Sequence, residues 1–212
     1  MIQNVYFDDI TSSSLGLVFL GAVIGTPEAK TSEVDIPYSD GKLDLTDYYG
    51  VVRYKNRSIT LEFVIDPEED KETVIENVLA LTGTKKQIII PNNQDEYFIG
   101  RLKVSNTDVT NSKKQTINID VDAEPYRYTD VSVSKTFTAA GYIDCSSAQQ
   151  IVSPVITNNA SAQFRLGTTS VTYSAGSRTV NAFKFVKGNN RVYVTPSGGS
   201  VTVTIAYRKG RI

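Results

Sequence analysis

Residues 58–65, SITLEFVI, carry an apolar side chain at every second position. Ile59, Leu61, Phe63 and Ile65 point one way along an extended chain, and Ser58, Thr60 and Glu62 point the other. Successive side chains of a strand leave opposite faces of the sheet, so this pattern requires one dry face and one wet face. Residues 115–123 repeat it, with Ile117, Ile119, Val121 and Ala123 opposed to Thr116, Asn118, Asp120 and Asp122. So do Val201, Val203, Ile205 and Tyr207 against Thr202, Thr204 and Arg208. Three such segments commit the chain to a layered, mainly β architecture.

The first half reads as strands at 15–24, 58–65, 87–90, 97–104 and 115–123 plus one helix. The run 15–24, LGLVFLGAVI, is too short to span a bilayer. Asp8 and Asp9 precede it where a signal peptide would be basic, so it is expected to be a buried strand in a protein assembled in the cytoplasm. The helix is expected over 67–82. Asp66 is a natural cap, Pro67 suits the first turn, and Glu68, Glu69 and Asp70 sit at the positive end of the dipole. Val74, Ile75, Val78, Leu79 and Leu81 supply its apolar face, and Gly83 its stop. Capping accounts for the acidic first turn without a metal.

The net charge of −1 hides a split. Residues 1–130 hold 13 Lys and Arg against 22 Asp and Glu, whereas 131–212 hold 9 against one, Asp144. A polarity change from −9 to +8 marks two modules with different neighbours. Glu124-Pro125-Tyr126-Arg127-Tyr128 lies at the change, and Pro125 cannot donate to a central ladder. The expected domains are 1–128 and 129–212. The second reads as all β, with runs at 131–138, 151–157, 162–166, 170–174, 179–186, 191–195 and 200–207 separated by Gly, Ser and Asn. Short strands at this spacing predict a sandwich.

Much chemistry is missing. The chain has no His, so Ser-His-Asp and Cys-His arrangements cannot form. Its one Cys, Cys145, permits no internal disulfide and no ordinary zinc set. There is no phosphate-binding or dinucleotide-binding glycine motif, and nothing marks a Ser-Lys pair. The second module owns one acid, short of the two that glycoside hydrolysis needs. The expectation is a protein that is not an enzyme and uses no cofactor or metal. Sugar binding is the rival reading. It would need a stacking ring, and without Trp the candidates are Tyr142, Tyr173, Tyr193 and Tyr207, the last two read as core. The basic residues of the second half are dispersed except for Arg208-Lys209-Gly210-Arg211, which reads as a solvated tail rather than a nucleic-acid site.

The order Val34-Asp35-Ile36-Pro37, then Asp40-Gly41-Lys42-Leu43-Asp44, then Tyr54-x-x-Arg57 before a strand resembles the N-terminal domain of the distal tail proteins of long-tailed bacteriophages. Pro125-Tyr126-Arg127-Tyr128 is similar to the element that ends that domain, and Lys187-Gly188-Asn189-Asn190 to a turn of galectin-like sandwiches, which form the second domain of such proteins. The resemblance implies an N-terminal β-sandwich or barrel-like module with one helix, followed by a galectin-like β-sandwich. It implies a homohexameric ring, stacked or single, joining the tail tube protein to the tail-tip hub, within the virion and away from any membrane. DNA would pass through the lumen without specific binding. An acidic lumen would keep DNA off the wall. Ring contacts are expected at Asp40, Gly41, Leu43 and Arg57; the bland alternative is that these four only shape an intramolecular loop. The alternative function is a carbohydrate-binding module contacting the host surface.

Overall fold

The computed structural model describes residues 4–48, 50–91, 95–107 and 116–212. The chain divides into one unit ending at Pro125, together with Ile212, and another running from Tyr126 to Arg211. In the first, β1 (Tyr6–Phe7), β2 (Ile10–Thr11), β3 (Leu17–Ile24), β4 (Glu33–Asp35), β5 (Lys42–Asp44) and β6 (Arg57–Ile65) precede helix α1 (Lys71–Leu79). After it come β7 (Lys85–Ile89), β8 (Phe98–Thr107) and β9 (Thr116–Ala123). Seven strands form one sheet in the order β2-β1-β7-β8-β9-β6-β3, while β4 and β5 pair only with each other.

The alternating segments set the register of this sheet. Ile59 lies opposite Val121, Leu61 opposite Ile119 and Phe63 opposite Ile117, all buried. The Phe63 ring lies 6.3 Å from that of Phe7 and 5.7 Å from that of Phe19. A one-residue slip would turn this whole set to water, so the register is strongly specified. Val74 and Val78 of α1 complete the core.

The helix is shorter than expected. Asp70, not Asp66, caps it, accepting from the Thr73 N–H at 3.0 Å and the Thr73 hydroxyl at 2.8 Å. Asp66 instead accepts from the Glu68 N–H at 3.1 Å and closes a separate turn. Asp66 and Asp70 both meet the capping rule; Asp70 caps the helix that carries Val74 and Val78, and Asp66 the turn before it. Leu79 falls just past that stripe and is 50% exposed. The Thr73 N–H, and then its hydroxyl, hold the Asp70 carboxyl below its ordinary value. A depressed carboxyl stabilises the fold above its unfolded value of about 4 and loses that contribution as pH falls through the lower folded value. Asp70→Ala is therefore expected to lower the melting temperature at pH 7, and the deficit is expected to shrink below about pH 4. Melting scans across pH check this.

The run 15–24 is only partly buried. Leu15 closes a short 3-10 turn, and β3 lies at the sheet edge with a bulge between Phe19 and Gly21. The bulge breaks the alternation, leaving Leu20 and Val23 at 56% and 65% exposure.

The second unit contains β10 (Arg127–Phe137), β11 (Gly141–Ser147), β12 (Val155–Asn158), β13 (Ala162–Leu166), β14 (Thr169–Tyr173), β15 (Gly176–Thr179), β16 (Gly188–Pro196) and β17 (Val201–Arg211). They form two four-stranded sheets, β10-β17-β12-β15 and β11-β16-β13-β14. Ile156, Val203 and Ile205 from one sheet and Cys145, Phe164, Val192 and Val194 from the other share a core. β10 pairs with β17 from Arg127 opposite Arg211 to Phe137 opposite Val201, so the units part before Tyr126, three residues ahead of the expected 128/129 boundary. The same pairing makes Arg208–Arg211 part of a strand, not a solvated tail.

The strand expectations fail here in three places. β11 and β15 were not anticipated, and 179–186 is mostly irregular: Val180, Phe183 and Phe185 are buried, but their spacing breaks period two and beyond Thr179 only Phe185 bridges, to Val152. The turn at Lys187–Asn190 is held by Asn190, which is 5% exposed. Its amide donates to the carbonyls of Val186 at 2.8 Å, Gly188 at 3.2 Å and Cys145 at 3.3 Å. Its oxygen accepts from the Val186 N–H at 2.9 Å. Gly188 there takes a φ of 105°, open to glycine and strained for other residues. Tyr207 is buried as expected, its hydroxyl donating to the Ser146 carbonyl at 2.8 Å.

Burial, reinforced by Asp144, pushes the Cys145 thiol up to about 12. The thiolate is the reactive form. An aromatic disulfide reagent is therefore expected to leave the folded protein unlabelled at pH 8 and to label it once on full unfolding in denaturant.

Candidate functional site

Between β3 and β6 the chain leaves the sheet and returns as a ribbon. Lys55 N–H donates to the Glu28 carbonyl at 2.8 Å, Lys30 N–H to Arg53 at 2.7 Å and Leu45 N–H to Ser32 at 2.7 Å. Farther out, β4 and β5 pair Val34 with Leu43 and Asp35 with Lys42. The turn between them carries two positive φ angles, 64° at Tyr38 and 78° at Gly41.

Among the described residues, this arm contributes no side chain to the hydrophobic core cluster. It nevertheless displays Val34 and Ile36 at 46%, Leu43 at 47% and Tyr38 fully exposed. A two-stranded ribbon is marginal alone, and clustered exposed apolar groups mark interaction surfaces. The ribbon is also acidic. Lys42 pairs with Glu33 at 3.3 Å and Lys55 with Glu28 at 3.0 Å. Asp44 accepts from the Thr46 N–H, and hydrogen bonds from Thr46 hold its carboxyl below the ordinary value.

Of the four expected contact residues, Asp40 and Gly41 lie in the arm's turn and Leu43 on β5. Arg57 is not with them at the surface. It begins β6 at 5% exposure, donates to the Pro125 carbonyl and lies 5.6 Å from the Phe98 ring centre. Its place is inside its own unit, tying the start of β6 to the end of the unit. The sequence reading missed the neighbouring edge: β3 has a partner on one side only, and its bulge turns Leu20 and Val23 outward. The Gly21 interruption in the apolar run was the available signal.

The uncovered face of the large sheet is polar. Asp120 accepts from the Thr60 hydroxyl at 2.7 Å and Asp122 from the Asn56 amide at 3.0 Å. On the other side of β9, Lys103 lies opposite Asp120 and Arg101 opposite Asp122. A hollow of about 960 Å³ opens over these residues. Acids and bases alternate there, so most of the first unit's negative excess lies elsewhere, in the arm and the helical segment. Among the described residues, no group of three His, Cys, Asp or Glu could hold a metal ion. Among the same residues, no helix is long and apolar enough to cross a membrane.

No protein-family model matches the sequence, and no curated protein sequence matches it. Among solved structures, the chain is similar to the Dit protein of phage SPP1, with a TM-score of 0.65, covering 98% of this chain and 99% of that one at 11% identity. The chain has the Dit fold. The SPP1 Dit structure is described as a paradigm of the hub adsorption apparatus in phages infecting Gram-positive bacteria. A chain of the phage p2 baseplate overlaps more loosely, with a TM-score of 0.47 and 7% identity over 95% of this chain and 97% of that one. At 11% identity the likeness to SPP1 Dit is one of fold.

Proposed function

We propose that this chain is a structural protein of a long-tailed phage tail tip, forming a homohexameric ring that joins the tail tube protein to the hub proteins. The observation that carries this reading is the Dit fold along the whole chain, coupled to an arm that exposes Val34, Ile36 and Leu43 on one face. The arm and the open β3 edge are the contact surfaces. One edge of the sheet meets a different surface of the next copy, and such heterologous contacts close into a ring when the rotation allows. Asp40, Gly41 and Leu43 act in that contact, and Arg57 acts indirectly by fixing the strand from which the arm returns.

The uncovered sheet face is assigned to the bore. Its alternating Asp120–Lys103 and Asp122–Arg101 pattern offers DNA no continuous cationic track, so DNA passes without specific binding. This replaces a strongly acidic wall with a nearly neutral one. Partners are further copies of the chain, in single or stacked rings, together with tube and hub proteins, in the virion. Negative-stain electron microscopy of the purified chain tests the reading. Ring-shaped particles with six-fold averages are expected; particles of single-chain size at every concentration would contradict it.

A further inference from the structure

The outward face of the β11-β16-β13-β14 sheet carries a second ordered surface, independent of ring assembly. Alternation sends Ile143, Cys145, Val192, Val194 and Phe164 to the core. It leaves Tyr142, Asp144, Arg191, Tyr193, Gln163 and Arg165 facing water. Tyr193 was expected in the core; it lies between two buried valines and so faces out, 37% exposed beside Tyr142 at 42%.

These side chains are locked together. Tyr142 and Tyr193 are cross-strand partners, their rings edge-to-face at 6.2 Å. Arg191 lies over Tyr142 at 3.9 Å and binds Asp144 through two hydrogen bonds of 2.8 and 2.9 Å. Arg165 lies over Tyr193 at 4.2 Å. The two guanidinium groups differ in one respect. Asp144 neutralises Arg191, whereas the hydrogen bond recorded for Arg165 goes to the Gly167 carbonyl at 3.2 Å, and no carboxylate pairs with it among the described residues. Arg165 thus keeps its charge and most of its N–H fork. It borders a hollow of about 320 Å³, with Gly141, Tyr142, Tyr193, Gln163 and Thr195 around it.

The dimensions and chemistry select a class of ligand. A hollow of this volume takes a small molecule, not a folded partner. Tyr rings offer a flat apolar body with a polar tip, and Gln163 and Thr195 offer amide and hydroxyl groups for an array of hydroxyls. The planar fork of arginine matches a carboxylate or phosphate. The surrounding unit holds ten Lys and Arg against two acids, Asp130 and Asp144, which concentrates anions near it.

We propose that this face binds an acidic saccharide, a sugar bearing a carboxylate or phosphate, with Arg165 as the anion fork, Gln163 and Thr195 as partners for hydroxyls, and the exposed edges of Tyr142 and Tyr193 as the apolar wall beside them. The inference does not depend on the ring, since its residues all lie on one sheet of the second unit.

Saturation-transfer NMR on the full chain, with glucuronic acid, glucose 6-phosphate and glucose as separate probes, tests it. Transfer to at least one of the two acids, and much weaker transfer to glucose, is expected; which acid responds identifies the anion. Arg165→Gln is expected to weaken acid binding about tenfold or more, the usual worth of a hydrogen bond to a charged group. Arg165→Lys, which keeps charge without the fork, is expected to fall between the two, and Tyr193→Ala to lose binding with an unchanged melting temperature. No transfer from either acid to the wild-type protein, or equal transfer from glucose, would overturn the proposal without any variant. Unchanged acid binding in Arg165→Gln would overturn the role of Arg165.

Discussion

Leu43→Asp is expected to convert the proposed ring into a folded monomer. Leu43 lies on β5 opposite Val34, is 47% exposed and contributes nothing to the core, so the fold does not depend on it. In a closed ring every contact recurs at each interface, and one substitution is multiplied by the number of copies. Burying a leucine is worth about 1.5–3 kcal/mol. A carboxylate forced into the same place would either stay hydrated and hold the surfaces apart or be buried at greater cost. Asp35, Asp40 and Asp44 nearby add like-charge repulsion. Light scattering after size exclusion reads the mass, and a melting scan confirms the fold. A Leu43→Asp protein that assembles as the wild type would remove the arm from the contact surface.

Asn190→Ala is expected to destabilise the second unit by about 3–5 kcal/mol. The side chain makes four hydrogen bonds, three donated and one accepted, around the turn that carries Gly188 into β16. Truncation leaves the buried Cys145 carbonyl without this partner, at about 1–3 kcal/mol, and removes bonds to the half-exposed Val186 N–H and carbonyl worth about 0.5–1.5 kcal/mol each. That is a large fraction of a domain's total stability of about 5–15 kcal/mol. Urea unfolding should show a lower midpoint with an unchanged slope. Asn190→Asp keeps the acceptor and loses both N–H donors, and with them all three donated bonds, so it is expected to be nearly as damaging. A loss below about 1 kcal/mol for Asn190→Ala would show that water replaces the side chain.

The legible part of the fold was the part where one face is buried. Ile59–Ile65, Ile117–Ala123 and Val201–Tyr207 each line a core with the expected phase, because period-two burial leaves a direct trace in sequence. β11 was missed because GYIDCSS contributes only Ile143 and Cys145 to the core as strong hydrophobes, both buried by packing that the local pattern does not announce. The opposite error, a strand over 179–186, arose because Phe183 and Phe185 are apolar without being in a ladder. The helix start was misplaced because Asp66 and Asp70 satisfy the same capping rule, and only tertiary packing chooses between them.

The candidate surface was legible in part. The Asp40-Gly41 turn and Leu43 were found from the sequence, and their exposure follows from the arm's separation from the sheet. Arg57 is different. A charged residue before a strand reads as a surface group, yet this one is buried by the Pro125 carbonyl and the Phe98 ring, both distant in sequence. The Tyr142–Tyr193 face was misread for a related reason. The apolar body of tyrosine suggests a core, whereas strand phase places Tyr193 outside. Phase is the stronger signal of the two, since Val192 and Val194 fix it.

Native mass spectrometry of the purified full chain, over a range of concentrations, addresses the ring most directly. Six copies of the 23.3 kDa chain give roughly 140 kDa, and that species, persisting on dilution and reduced to single chains by Leu43→Asp, is the expected result. A wild-type protein that stays at 23.3 kDa up to the highest soluble concentration would contradict self-assembly through the arm and the β3 edge.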